Sequence, residues 1–257
     1  MSRLPSRLLA LALAAGPARA QTMLDQEERL IEVHSLLLSL PALQAPGALD
    51  AGEAALGIEL VSIPVIDGTT GGKRQITASD RTRVFPRPRL ALGLPGPAGT
   101  RLALGAAYVP PVAVRGVTSH HGALEVGISR AFGPVWLGLR AQGVYGRSRS
   151  PVTDPATRDT LTTWIGGAEL AAGWPLTLLG HGLTPYASLG VVRVAGDFEV
   201  TSDGYRLRRR ATDLSLGAGL RVALPGWLDV AAELSAFPGR LVHPSFRLAW
   251  TPRLAGG

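Results

Sequence analysis

Ten charged residues recur at alternate positions within apolar stretches of this 257-residue chain, and their chemistry is the most readily interpreted. Five are arginines and five are carboxylates: Glu59, Arg89, Glu125, Arg140, Glu169, Arg193, Arg221, Asp229, Glu233 and Arg247. Guanidinium and carboxylate groups form strong charge-assisted hydrogen bonds, and charges withdrawn from water must pair. The set predicts either a network of buried ion pairs or the lining of a narrow polar pore.

Residues suited to catalysis are sparse by comparison. His120 and His121 lie in one predicted outer loop, and Asp154 and Asp159 lie in the neighbouring one. Such residues can support acid–base chemistry. No nucleophile or known motif accompanies them at a recognisable spacing, and no histidine cluster has metal-ligand spacing. The absence of cysteine removes disulfides, thiolate catalysis and thiolate metal sites. We therefore expect no enzyme, no metal and no cofactor.

A basic run, Arg206, Arg208, Arg209 and Arg210, lies in a polar stretch and could either bind phosphate groups or simply be solvated. The formal charge is +7, and nearly all the basic residues are arginine. Three of these arginines lie in the first twenty residues, so their removal would leave +4. This modest charge does not favour a nucleic-acid partner.

The elements that carry these residues follow a period of two. In Thr212–Leu224, Leu214, Leu216 and Leu220 alternate with small or charged residues. This pattern indicates a β-strand with two different faces. The same alternation predicts ten strands over 53–63, 86–94, 100–110, 122–131, 134–146, 160–174, 184–195, 211–224, 227–236 and 244–251.

The lengths of these strands and of their connections are unusual for a soluble protein. Most predicted strands have nine or more residues, whereas soluble strands usually have about five or six and a tilted membrane strand needs roughly 9–11. Tight Gly/Pro turns alternate with longer polar loops, predicted at 64–85, 111–121, 147–159 and 196–210. Short turns at one end and long loops at the other are typical of transmembrane barrels.

The N-terminal residues indicate export. Arg3 and Arg7 precede an apolar run, and Ala18-Arg19-Ala20 has small residues where a signal peptidase reads them. We expect residues 1–20 to be a signal peptide cleaved after Ala20. Residues 21–52 are expected to be a periplasmic or helical segment, with a helix over 22–40 that either stays in the periplasm or plugs the barrel. Residues 53–257 would form the barrel.

The signal peptide, the long alternating strands and the final strand, Ser245-Phe246-Arg247-Leu248-Ala249-Trp250, resemble those of Gram-negative outer-membrane β-barrel proteins. The resemblance implies an all-β fold, an antiparallel up-and-down barrel of about ten strands in the outer membrane. It also implies membrane lipid and lipopolysaccharide as partners, with Arg206, Arg208, Arg209 and Arg210 near lipopolysaccharide phosphates. The barrel-insertion machinery would read the last strand.

Two functions are consistent with this pattern. The first is a closed or narrow-lumen envelope barrel whose ten alternating charges pair across the lumen. The alternative is a porin-like barrel for diffusion or transport of small solutes, lined by the same residues. An outer-membrane enzyme and a secreted soluble β-sandwich are less consistent with the pattern.

Overall fold

A computed structural model describes residues 23–63, 83–114, 117–150, 156–178, 180–202 and 204–253. The proposed signal peptide, residues 1–20, lies outside them. The described chain has one α-helix, α1 (Met23–Leu37), followed by strands. These are β1 (Ala54–Ile63), β2 (Arg83–Pro95), β3 (Arg101–Val114), β4 (Val117–Phe132), β5 (Val135–Ser150), β6 (Asp159–Gly173), β7 (Leu176–Leu178), β8 (His181–Glu199), β9 (Arg206–Leu224), β10 (Leu228–Phe237) and β11 (Leu241–Trp250).

Ten of these strands form a closed antiparallel barrel. Each strand pairs with its neighbour in sequence, β6 pairs directly with β8, and β1 pairs with β11 to close the wall. The three-residue β7 is an addition at one edge that pairs only with β8. The prediction of an up-and-down barrel of about ten strands is therefore confirmed.

The register gives the barrel its tilt. We call the end of the barrel where β8 connects to β9 the loop end, and the opposite end, where β9 connects to β10, the turn end. A path along paired residues leaves β9 at Leu224 and returns to β9 at Thr212, twelve residues nearer the loop end. The intermediate partners are Leu228, Trp250, Leu56, Leu90, Ala106, Leu124, Gly143, Gly166 and Arg193. This stagger is the shear that accompanies strands inclined by about 35–45° to the barrel axis. Eight strands leave room only for side chains, so ten leave somewhat more.

The two faces of the wall differ as the alternation predicts. The outward-facing leucines are exposed on the outer surface of the barrel, with Leu124 69% and Leu170 62% exposed. The intervening side chains point into the lumen, where Glu59 and Arg89 are almost fully buried. So large an apolar band would be a liability in water, but it matches the hydrocarbon region of a bilayer.

The N-terminal segment fills the lumen, so the periplasmic alternative is corrected. Helix α1 contacts β6, β8 and β9, and also β1 and β11 across the barrel. Ile31 packs against the inward side chains of Leu161 and Leu207 near the loop end. Residues 38–52 then run to the turn end, where β1 begins. We call residues 23–52 the plug segment. Among the described residues, no helix has the length and apolar composition to cross a membrane.

Several predicted loops are instead strand. Strands β3 and β4 extend to Val114 and from Val117, through most of the loop predicted at 111–121. Strand β5 extends to Ser150, and β8 and β9 reach Glu199 and Arg206 within the loop predicted at 196–210. Polar residues here obscure a strand pattern that continues beyond the apolar band. Residues 64–82, in the first predicted loop, lie outside the described residues.

Candidate functional site

Five of the ten predicted charges form one continuous ladder across β1, β2, β4, β5 and β6. Arg89 lies between two carboxylates, with its Nη1 3.5 Å from Glu59 Oε2 and its Nη2 2.6 Å from Glu125 Oε1. Arg140 continues the ladder, since its Nε is 2.6 Å from Glu125 and its Nη1 is 2.8 Å from Glu169. Every member lies on the inward face of its strand. Each charge of the ladder thus has an opposite charge beside it within the lumen, with two arginines facing three carboxylates.

The same arginines also bind the plug segment. Arg89 donates to the carbonyl oxygens of Pro41 and Ala42 at 3.0 and 2.9 Å. Arg140 donates to the carbonyl of Leu40 at 2.9 Å. Residues 38–42 have no regular secondary structure, so these carbonyls lack helix or sheet partners. The guanidinium groups supply the missing donors and fix the segment in the lumen.

A second set of the predicted residues lies on β9, β10 and β11. Asp229 accepts hydrogen bonds from Arg221 and, at 3.3 Å, from Arg247. Glu233 differs from the other carboxylates, because no arginine pairs with it among the described residues. It accepts the backbone N–H of Leu43 at 2.8 Å and the Tyr186 hydroxyl at 3.0 Å. Glu233 therefore also holds the plug segment.

At the loop end, two arginines attach helix α1. Arg240 lies 2.9 Å from Glu32, and Arg209 lies 2.9 Å from Glu28. This corrects the expectation that Arg209 contacts lipopolysaccharide. The run lies on a strand rather than in a loop, so alternate residues point to opposite faces and Arg209 faces inward.

The reverse correction applies to Arg193, which was expected in the lumen. Its side chain is exposed on the outward face of β8, because Val192 and Val194 point inward and are buried against other apolar residues. Arg210 also faces outward, on β9, two residues before Thr212, which is the register partner of Arg193. Arg206 and Arg208 are outward but share Asp197, at 2.6 and 3.1 Å. Among the described residues, Arg193 and Arg210 have no carboxylate partner.

Some lumen residues were missed from the sequence. Arg87 is fully buried, and its Nη2 lies 2.5 Å from Glu59. It lies within the predicted strand 86–94 and shares the parity of Arg89, so the alternation could have identified it. Gln142, which accepts the N–H of Leu40 at 3.2 Å, and Tyr186 carry no charge to mark them.

The histidine pair does not form one site. His121 points into the lumen, with Nε2 3.4 Å from Arg87, whereas His120 lies on the outward face near Tyr145. Asp159 is buried at the loop end and accepts the N–H of Thr201 at 3.0 Å. Asp154 lies outside the described residues. Within the described part of the chain, no group of three His, Cys, Asp or Glu residues could hold a metal ion.

A closed antiparallel wall with an apolar exterior and a charged interior defines a transmembrane β-barrel, and the chain has the fold of the outer-membrane β-barrel proteins. No family model and no curated protein matches its sequence. Solved structures with similarity to it include the translocator domain of the autotransporter NalP from Neisseria meningitidis, at 11% identity and a TM-score of 0.47, covering 90% of this chain and 95% of that one.

Two others are the β domain of the Bordetella autotransporter BrkA and the attachment invasion locus protein Ail of Yersinia pestis. The first is 17% identical with a TM-score of 0.42, and the second is 12% identical with a TM-score of 0.35. Each comparison covers 79% of this chain and 99% of the other. They describe a likeness of architecture, and the assignment of the barrel rests on the strand register.

Proposed function

We propose that this protein resides in the outer membrane as a closed envelope barrel, with its lumen sealed by its own plug segment. The observation that carries the proposal is the double role of Arg89 and Arg140. Each pairs with the ladder carboxylates and also donates to the plug backbone. The groups that could line a pore are thereby engaged in keeping it shut.

The remaining space in the lumen supports the same function. A cavity of about 70 Å³ lies beside the ladder at the turn end, lined by residues such as Ala45, Pro46 and Ser129. One water needs roughly 10–15 Å³ of such space, so the cavity can hold several ordered waters. A porin-like barrel, the alternative, needs a continuous aqueous channel.

Conductance of the refolded full chain in planar bilayers tests the proposal. We expect almost no current from the native protein and measurable openings from an Arg89→Ala/Arg140→Ala variant, since it loses the hydrogen bonds to residues 40–42. Arg253→Ala, which removes an exposed pair with Glu53, is the matched control and should stay closed. A large, steady conductance of the native protein would favour the diffusion barrel.

The proposed location has a separate test. The mature protein should begin at Gln21 and fractionate with outer membranes, and it should resist extraction by salt and by carbonate. Recovery in the soluble periplasmic fraction would contradict the location. We also propose that the barrel-insertion machinery reads β11, in which Trp250 faces outward at the turn end.

A further inference from the structure

Strands β2 and β3 separate before they reach the loop end of the wall. Their register ends at Arg89 and Ala107. Beyond this point β2 continues to pair with β1, and β3 continues to pair with β4. Residues 83–88 and 108–114 therefore present two unpaired edges to each other, and we call this gap the β2/β3 seam.

Prolines explain the seam. Gly93 exchanges hydrogen bonds with residues 52 and 53, before β1, so odd-numbered residues of β2 direct their backbone groups toward β1. The even-numbered residues consequently face β3, and among them Pro86 and Pro88 have no N–H to donate. Continuing the register places Pro110 opposite Pro86. Ladder hydrogen bonds cannot form between two prolines.

An apolar groove lies on the outward face beside the seam. It has a volume of about 740 Å³, within the roughly 300–1,000 Å³ of small-molecule sites. Small residues, including Ala106, Gly122 and Gly143, line it, and Leu124 projects between Ala106 and Gly143. A Cβ built on Gly143 would meet nothing within 4 Å, so the space above it is open.

The groove and the lower part of the seam lie within the apolar band. Tyr145 and Trp164 end the groove toward the loops, with ring centroids 4.6 Å apart, as expected at a membrane interface. Tyr108 is linked to Trp164 by three steps along the register. Steps of ~4.8 Å on strands tilted by ~40° place Tyr108 roughly 9 Å deeper in the bilayer than Trp164.

We propose that the groove binds one acyl chain of an outer-leaflet lipid, which lies over Gly143, two strands from the β3 edge of the seam. This inference rests on the proposed membrane location. A peptide strand is the wrong occupant, since Pro86, Pro88 and Pro110 remove the donors that strand addition needs. The same prolines reduce the number of unpaired donors facing lipid, which makes an apolar neighbour tolerable.

Native mass spectrometry of the full chain tests this proposal, after reconstitution in phosphatidylethanolamine/phosphatidylglycerol vesicles and release in mild detergent. We expect the native protein to retain one lipid molecule. Gly143→Leu fills the groove from an open position and should reduce retention at least fivefold. Gly166→Leu is the matched control, because Gly166 pairs with Gly143, faces outward and is also unobstructed, but lies outside the groove. It should retain lipid like the native protein.

Equal retention by Gly143→Leu and the native protein would overturn the site, as would loss of lipid from both glycine variants or no lipid on the native protein. Heat-modifiable gel mobility and carbonate resistance, measured on the same samples, report whether the barrel is folded in the membrane. Failure of those measurements would count against the proposed function. A folded, membrane-resident barrel without retained lipid would count only against the groove.

Discussion

Arg140 illustrates how one side chain joins wall and plug. It contacts Glu125 and Glu169 while donating to Leu40, and the side chains are largely buried. Replacing it with alanine leaves two carboxylates without their shared cation, and one plug carbonyl without a donor. Breaking a buried pair in this way costs about 3–5 kcal/mol, with lumen water lowering the figure.

We therefore expect Arg140→Ala to lower the unfolding temperature substantially, as measured by heat-modifiable gel mobility. The control is again Arg253→Ala, whose exposed pair contributes about 0–1 kcal/mol. A similar unfolding temperature for both variants would mean that the ladder is hydrated and contributes little to stability.

The outward arginines make a prediction about lipopolysaccharide. Because Arg193 and Arg210 lack carboxylate partners among the described residues, they are better placed for lipid phosphates than Arg206, which Asp197 engages. We propose that they bind these phosphates. An Arg193→Gln/Arg210→Gln variant should bind lipopolysaccharide about tenfold more weakly, equivalent to about 1.4 kcal/mol.

Equilibrium binding to lipopolysaccharide, measured at low and at high salt, checks this expectation. Arg206→Gln serves as the control and should change the affinity much less. Loss of affinity in the control alone would place the binding site at Arg206, at the loop end of β9. No loss of affinity in either variant would exclude both positions as binding sites.

At the scale of elements, β9 offers a test of the wall. Leu216 faces outward in the middle of the strand, and Leu224 faces outward at its turn end. Arginine at the bilayer midplane costs about 2–4 kcal/mol, falling to about 0–1 near the interface. Leu216→Arg should therefore destabilise the folded barrel far more than Leu224→Arg.

Urea unfolding in lipid vesicles gives both free energies of unfolding. Equal costs at the two positions would be incompatible with a lipid-facing strand and would favour burial of this face against protein.

The seam makes a second prediction at this scale. Pro88→Val restores an N–H directed at β3, opposite Tyr108 in the continued register. The restored N–H should donate to the Tyr108 carbonyl, and the closer strand should let the Tyr108 N–H donate in return to the carbonyl at position 88. The pairing should stabilise the barrel by about 0.5–1.5 kcal/mol per hydrogen bond and slow amide exchange at Tyr108. Pro244→Val on β11 is a comparison at another outward position, where β11 pairs with β10 but its register with β1 has already ended at Phe246. Slower exchange at Tyr108 in both variants would show that the effect is general.

The sequence could predict most inward charges because period-two alternation fixes the facing of a residue once the strand is known. Arg193 was assigned wrongly because both faces of β8 are apolar. Val191 faces outward, while Val192 and Val194 pack inside. An occupied lumen thus removes the polarity contrast on which the assignment depends. Arg209 was assigned to a lipopolysaccharide-binding loop for another reason: a strand that extends beyond the bilayer needs no apolar face, so the run did not read as strand.

At the scale of the whole molecule, the antiparallel register places alternate connections at opposite ends of the barrel. The absence of native cysteine allows a direct test of orientation. Ser202→Cys, at an exposed position between β8 and β9, should react with an impermeant maleimide on intact cells, whereas Pro134→Cys, in the exposed turn after β4, should not. Labelling after lysis controls for reactivity. The reverse labelling pattern would mean that the barrel has the opposite orientation in the membrane.

The plug segment also constrains the order of assembly. Its helix lies at the loop end, yet it must reach the start of β1 at the turn end, and arginines of the wall hold it from several sides. To enter a wall that had already closed, this segment would have to pass the inward side chains of the ladder whose arginines bind it. The junction of β1 with β11 contains five residue pairs, against eighteen between β8 and β9. We therefore expect the pairing of β1 with β11 to be the last step of folding, formed only after the chain has packed its own interior.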